Sequence, residues 1–179
     1  MTQDAGVWLA AMERGMSPTG ERGRDRDPAG RPRNARPRDE LGRPLPHDAA
    51  GVEGVPDDLA LSPGETLAEA QRLLDAGRAF QAHEVLESTW KAAPEDEREL
   101  WQGLAQLAVG VTHVQRGNAI GAVALLRRAA DRLEGYAAET PHHVDVDGLV
   151  AWSRTLIERI DRDGLAILTR EDLTPHLCS

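Results

Sequence analysis

The stretch that decides the fold spans residues 80–133 and reads FQAHEVLESTWKAAPEDERELWQGLAQLAVGVTHVQRGNAIGAVALLRRAADRL. Its middle part, residues 100–115, is LWQGLAQLAVGVTHVQ and carries no acidic, lysine or arginine side chain. On a period of 3.6 residues this run places apolar side chains on nearly every side of a helix. Such a helix has to be covered all round by its neighbours, so the run predicts the central helix of a small all-α domain.

One narrow polar stripe interrupts this apolar helix. At 100° per residue, Gln102, Gln106 and His113 lie within about 40° of one another, with Gly103 and Gly110 beside them. Glycine in a helix costs about 0.5–1 kcal/mol relative to alanine. We therefore expect a neighbouring helix to approach closely at the two glycines.

The preceding helix offers a counterpart to the stripe. His83 and Glu87 lie on its edge at i, i+4 spacing, and a short connection at Pro94 makes the two helices antiparallel neighbours. The pattern predicts that the polar residues of the two helices face each other.

The same residues carry a family resemblance. HE-x-x-E-x-x-W begins at His83, G-L-x-Q-x-A begins at Gly103, and H-x-x-x-G-N-x-x-G-A begins at His113. Together these motifs resemble the signature of the DUF309 family of uncharacterised bacterial and archaeal proteins, over residues 61 to about 160. Thr112 departs from the pattern, because an aromatic residue is common there. The resemblance implies a small helical bundle and no established activity.

Composition and charge limit the function classes. The chain has 179 residues, which suggests one domain with appendages. Residues 20–47 contain eight arginines and five acids, whereas residues 48–179 contain twelve basic and twenty-three acidic residues. An acidic domain repels phosphate backbones, which argues against nucleic acid as a partner. Cys178 is the only cysteine, so an intrachain disulfide or a cysteine-rich metal site is excluded.

We expect a cytoplasmic protein that does not enter a membrane. The first residues, MTQDAGVWLAAMERG, contain an acid where a signal peptide needs positive charge, and their apolar run is short. The longest run without charge, residues 100–115, falls short of the roughly 20 apolar residues of a membrane span.

The predicted fold is all-α, a single bundle of about five helices preceded by an extended or disordered Arg/Pro-rich N-terminal arm. The arm is predicted over residues 1–58, the bundle over residues 59–163 and a C-terminal tail over residues 164–179. A composition rich in arginine, proline and glycine cannot bury enough apolar surface to fold alone. Two alternatives stay open for the arm: a solvated tail, or contact with the bundle surface through its arginines.

Local signals predict where the helices begin and end. Ser62, Pro63 and Glu65 form a capping box around the first helical residue, and Gly77 is typical of the position after a helix. Asn118 is a suitable N-cap. The predicted helices run from Pro63 to near Gly77, over residues 79–92, from Pro94 to about Arg116, from Asn118 to about Leu133 with Arg132 on the exposed face, and through Leu149 to Asp163.

Only one cluster of side chains in the sequence could take part in catalysis or metal binding. It consists of His83, Glu84, Glu87, Gln106 and His113. One interpretation is a divalent metal bound by His83, Glu87 and His113 with Glu84 as general base. The spacing is not HExxH, because Glu87 stands where that motif has its second histidine. The favoured interpretation is a buried hydrogen-bond network between the two helices. The loop pair His142 and His143 is predicted to be solvated and is assigned no chemistry.

The sequence therefore favours a non-catalytic helical module that binds a protein or a small-molecule ligand beside helices two and three. No catalytic residue, metal or cofactor is assigned, and a homo-oligomer is left open. The alternative is a metal-dependent hydrolase, and RNA binding through the arm is weaker because the arm lacks interleaved aromatic residues. The predicted binding residues are His83, Glu84, Glu87, Trp90, Trp101, Gln102, Gln106, His113 and Asn118.

Overall fold

The computed structural model describes residues 37–52 and 61–178, and within these ranges the chain is a bundle of five α-helices. Each helix packs against the next one in the chain. The prediction of an all-α bundle of about five helices is confirmed, whereas the predicted arm over residues 1–36 and 53–58 lies outside the described residues. The helices are α1 (Pro63–Asp75), α2 (Ala79–Ala92), α3 (Arg98–Gln115), α4 (Ala119–Glu134) and α5 (Val146–Asp163), with single 3-10 turns at Glu95–Glu97, Pro141–His143 and Glu171–Leu173.

The predicted signals at both ends of α1 are present. The Ser62 side chain accepts a hydrogen bond from the Glu65 N–H, and the Glu65 carboxylate accepts one from the Ser62 N–H at 2.9 Å. After the helix, Gly77 adopts a φ of +75°, in the left-handed region that favours glycine. These local bonds fix the helix ends independently of the rest of the fold.

The centre of the bundle is α3, in which every residue from Leu100 to Val114 is buried. This confirms the prediction of a helix covered on all sides. Its start differs from the prediction, because α3 begins at Arg98 rather than at Pro94. Pro94 has an extended ψ of 159°, and its carbonyl accepts the Glu97 N–H in the tighter hydrogen-bond pattern of a 3-10 turn.

Helices α3 and α4 approach closely at the two glycines. A Cβ on Gly110 would lie 2.9 Å from the Leu126 side chain, and one on Gly103 would lie 3.1 Å from the Leu133 side chain. The predicted close approach is confirmed, and the neighbour that makes it is α4.

The C-terminal tail packs against α1 and the start of α5. Leu177 is fully buried in the core cluster that α1, α2 and α3 share. Its N–H donates to Gln71 Oε1 of α1 at 2.8 Å, and its carbonyl accepts the Asp145 N–H at 2.9 Å. The tail thereby joins the first helix to the start of the last one.

Residues 37–52, which we call the strap, lie against α2 and the end of α3. Arg116 Nε donates to the Leu41 carbonyl at 2.8 Å, and Gln81 Nε2 donates to the Glu40 carbonyl at 3.4 Å. Of the two alternatives left open for the arm, contact with the bundle is therefore found for residues 37–52.

Among the described residues, no helix is long and apolar enough to cross a membrane.

Candidate functional site

The nine predicted binding residues lie on two neighbouring helices and the cap of a third. Trp101, Gln102, Gln106 and His113 belong to α3, and Asn118 is the N-cap of α4. The remaining four, His83, Glu84, Glu87 and Trp90, belong to α2.

Gln106 of α3 is held by α4. Its Oε1 accepts a hydrogen bond from Arg132 Nε at 3.3 Å, and Arg132 also forms an ion pair with Glu99. The Gln106 Nε2 is buried and has no hydrogen-bond partner among the described residues. Arg132 was predicted to point into solvent, but its long side chain turns back over α3 and is half-buried.

The start of α4 fixes His113. Asn118 Oδ1 accepts the Gly121 N–H at 2.9 Å as the N-cap, which leaves the Asn118 amide nitrogen to meet His113 Nδ1 at 2.8 Å. An amide nitrogen only donates, so His113 Nδ1 is the acceptor and the neutral ring carries its proton on Nε2. Burial, followed by the positive charge of Arg116, lowers the pKa of His113.

His83 is buried on α2 and faces a carboxylate of its own helix. Its Nε2 lies 3.5 Å from Glu87 Oε2, and the other Glu87 oxygen lies 3.2 Å from Lys91 Nζ. Burial lowers the pKa of His83, and the negative charge of Glu87 only partly opposes this effect. The His83 imidazole is therefore neutral near pH 7.

The predicted network between α2 and α3 differs from the observed contacts. Gln106 and His113 make their hydrogen bonds with α4, whereas His83 pairs with Glu87 within α2. The small residue Gly121 explains the preference for α4, because a Cβ there would lie 2.6 Å from His113 Nδ1. Within residues 37–52 and 61–178, no three histidine, cysteine or acidic side chains are grouped closely enough to hold a metal ion. The proposed ligand set of His83, Glu87 and His113 is therefore not assembled.

A line of residual exposure runs along α3. Gln102 and His113 are 9% exposed, Val109 is 8% exposed and Ala105 is 5% exposed, whereas Leu104 is fully buried. These four residues lie at i, i+3, i+7 and i+11, within about 80° around the helix axis. We call this line and its flanks the α3 groove. On the α4 side of this groove lies Arg132, whose Nε donates to Gln106 Oε1.

Trp101 is a core residue, 1% exposed, and does not belong to the groove. Its Nε1 donates to Glu97 Oε2 at 3.1 Å, and the same oxygen lies 2.8 Å from His142 Nε2. The pKa of Glu97 is lowered, first by the hydrogen bond with His142 and then by the bond from Trp101, against the effect of burial. His142 is half-buried, so the prediction that it is solvated is wrong, although its neighbour His143 is exposed.

Comparison with known proteins finds a family model that resembles the part of the chain carrying the site. Residues 67–125 match the model described as "Domain of unknown function (DUF309)", a segment that contains all nine predicted binding residues. Over 48 residues the chain is 44% identical to the uncharacterized protein YpuF of Bacillus subtilis (strain 168), covering 26% of this chain and 28% of that protein. No solved structure matches the chain. Over residues 67–125 the chain is therefore similar to the DUF309 family, and it spans less than a third of the length of the curated relative that it matches.

Proposed function

We propose that the domain is a non-catalytic binding module, and that its α3 groove holds an extended segment of a partner protein. The observation that supports this proposal is the line of residual exposure on α3. Exposure is low everywhere on α3, and most of what remains lies along one stripe, which carries two of the polar residues singled out in the sequence, Gln102 and His113.

The chemistry of the groove suits a peptide main chain. Glutamine amides both donate and accept hydrogen bonds, as peptide groups do, and His113 Nε2 offers a donor from its neutral ring. Gln102 and His113 are eleven residues apart on a helix, or about 16 Å, which is the length of about five extended residues. Ala105 and Val109 lie between them and offer small apolar contacts.

The state of the titratable groups supports binding rather than hydrolysis. His113 Nδ1 is engaged by Asn118, and its pKa is lowered by burial. His83 is buried and faces Glu87, on the same helix. His113 therefore has no basic nitrogen left for a substrate, and the Nδ1 of His83, which has no hydrogen-bond partner among the described residues, is buried away from bulk water.

The test uses the full chain as bait for a phage-displayed library of random peptides. Enriched peptides are synthesised, and their dissociation constants are measured by calorimetry for the wild type, Gln102→Ala and His113→Ala. Loss of one hydrogen bond weakens binding by about five- to tenfold. Glu158→Ala, on the exposed side of α5, is the control and keeps the wild-type affinity.

The proposal is overturned if the enriched peptides bind the two groove variants as tightly as the wild type. It is also overturned if no peptide is enriched above the background of a bead without protein. Circular dichroism of each variant confirms that the helical content is unchanged.

A further inference from the structure

The strap is seated on the only phenylalanine of the chain. Two guanidinium groups contact the Phe80 ring, with Arg38 Cζ 5.4 Å and Arg116 Cζ 5.7 Å from the ring centroid. Both distances allow a cation–π interaction. One guanidinium belongs to the strap and the other to the bundle, so a single ring couples the two.

Between Arg38 and Gly42, the hydrogen bonds from the bundle go to the main chain of the strap. Arg116 donates to the Leu41 carbonyl and Gln81 to the Glu40 carbonyl. Carbonyl groups are present whatever the residue type, so residues 39–41 are held without selection for their side chains. Selectivity comes from the two ends of this turn, Arg38 and Gly42.

Gly42 is required for two independent reasons. Its φ is +73°, in the region that L side chains rarely adopt, and a Cβ there would lie 2.2 Å from Cδ2 of the Phe80 ring. The glycine therefore lies directly on the ring that Arg38 stacks against. The contact selects a segment of the form Arg-x-x-x-Gly.

The strap carries its own internal structure. Asp39 Oδ1 accepts the N–H groups of Leu41 at 3.0 Å and Arg43 at 2.7 Å, and Arg38 Nη1 donates to the Gly42 carbonyl at 2.5 Å. The Leu45 N–H donates to the Pro37 carbonyl at 2.7 Å, closing the turn. Since these bonds lie within residues 37–45, the turn can leave the bundle as a unit and keep its shape.

We propose that the surface formed by Phe80, Gln81 and Arg116 is a binding site for Arg-x-x-x-Gly turns, and that it accepts the strap of a second copy of this chain as well as its own. The strap in place is a tethered ligand. Tethering through the eight residues 53–60 gives a high effective concentration, which favours the chain's own strap. Exchange between copies becomes visible when the chain's own strap cannot be seated.

Two variants separate the strap from its surface. Gly42→Val prevents the strap from being seated and leaves the surface intact, whereas Phe80→Ala removes the ring and leaves the strap intact. We expect each variant alone to be monomeric in native mass spectrometry and their equimolar mixture to form a heterodimer. A mixture in which the two masses never associate overturns exchange between copies.

A synthetic peptide of residues 36–46 tests the site without a second copy. It is expected to bind the Gly42→Val protein at least tenfold more tightly than the wild type, in which the strap competes, and not to bind Phe80→Ala. The same peptide with valine at position 42 is the control and is expected not to bind. If Phe80→Ala unfolds, the double variant Gly42→Val/Arg116→Ala replaces it, because it keeps the ring and is expected to bind the peptide more weakly than Gly42→Val alone. Equal binding to wild type and Gly42→Val, or no binding to Gly42→Val, overturns the site.

Discussion

Replacing Gly110 by alanine tests the close packing of α3 on α4. Alanine at a helical glycine is expected to add about 0.5–1 kcal/mol of stability through backbone propensity. Against this gain, the new Cβ would lie 2.9 Å from two Leu126 side-chain carbons and 3.4 Å from the Leu126 nitrogen. Leu126 is fully buried and cannot swing away. Overpacking of a filled core costs about 1–3 kcal/mol, so we expect a net loss of about 1–2 kcal/mol.

Urea and thermal unfolding measure this loss. For a chain of this length, each kcal/mol lowers the melting temperature by about 2–4 °C. Gly64→Ala is the matched control, because Gly64 lies in the first turn of α1 with no atom within 4 Å of the new Cβ, and its replacement is expected to be neutral or stabilising.

The reasoning is refuted if Gly110→Ala is as stable as the wild type while Gly64→Ala behaves as expected. That result would mean that α3 and α4 have room for a methyl group at Leu126. The close approach that brings His113 against Gly121 would then lose its support.

Three further predictions concern titratable groups. Burial lowers the pKa of His83, so the contribution of the neutral imidazole to the free energy of unfolding is complete above the ordinary pKa of about 6.5 and is lost as the pH falls below it. The free energy of unfolding in urea should therefore change less between pH 8 and pH 5 for His83→Gln than for the wild type. The pKa of Asp172 is lowered to about 2, first by its hydrogen bond with Arg159, so Asp172→Asn should lose less than about 1 kcal/mol at pH 7, and the difference from the wild type should vanish as the pH falls from 4 to 2. The pKa of Glu97 is lowered, first by its hydrogen bond with His142, so Glu97→Gln should be less stable than the wild type in urea unfolding at pH 7, and the difference should shrink as the pH falls below about 4.5.

Local chemistry explains why the helices could be predicted. The capping box at Ser62, the N-cap at Asn118 and the all-round apolar pattern of residues 100–115 each depend on residues close in sequence. The two glycines of α3 also predict a close contact, because glycine in a buried helix needs a compensating neighbour. A 3-10 turn before α3 was missed, because Pro94 followed by acids is typical of both helix types.

The partner of the polar stripe could not be predicted. Periodicity gives the direction in which Gln106 and His113 point around α3, but α2 and α4 both flank that direction. The choice of α4 depends on Gly121, which makes room for the His113 ring, and on Arg132, whose length lets it reach Gln106 from a position that looks exposed.

Contacts between residues far apart in the sequence also could not be predicted from hydrophobic periodicity. Glu97 and His142 are 45 positions apart and meet only because the loop after α4 returns to the start of α3. For the arm, the proline and arginine content left two alternatives open, a solvated tail or contact with the bundle surface. The contact of the strap with Phe80 depends on one glycine conformation and two stacked guanidiniums, which composition does not report.

The buried position of Leu177 has a consequence for synthesis on the ribosome. This side chain fills the core beside α1, yet it is translated more than a hundred residues after Gln71, to which its N–H is bonded. The nascent bundle therefore exposes an apolar gap next to its first helix until Leu177 has left the exit tunnel. The core can be completed only then, and a truncation before Leu177 would leave this gap permanently open.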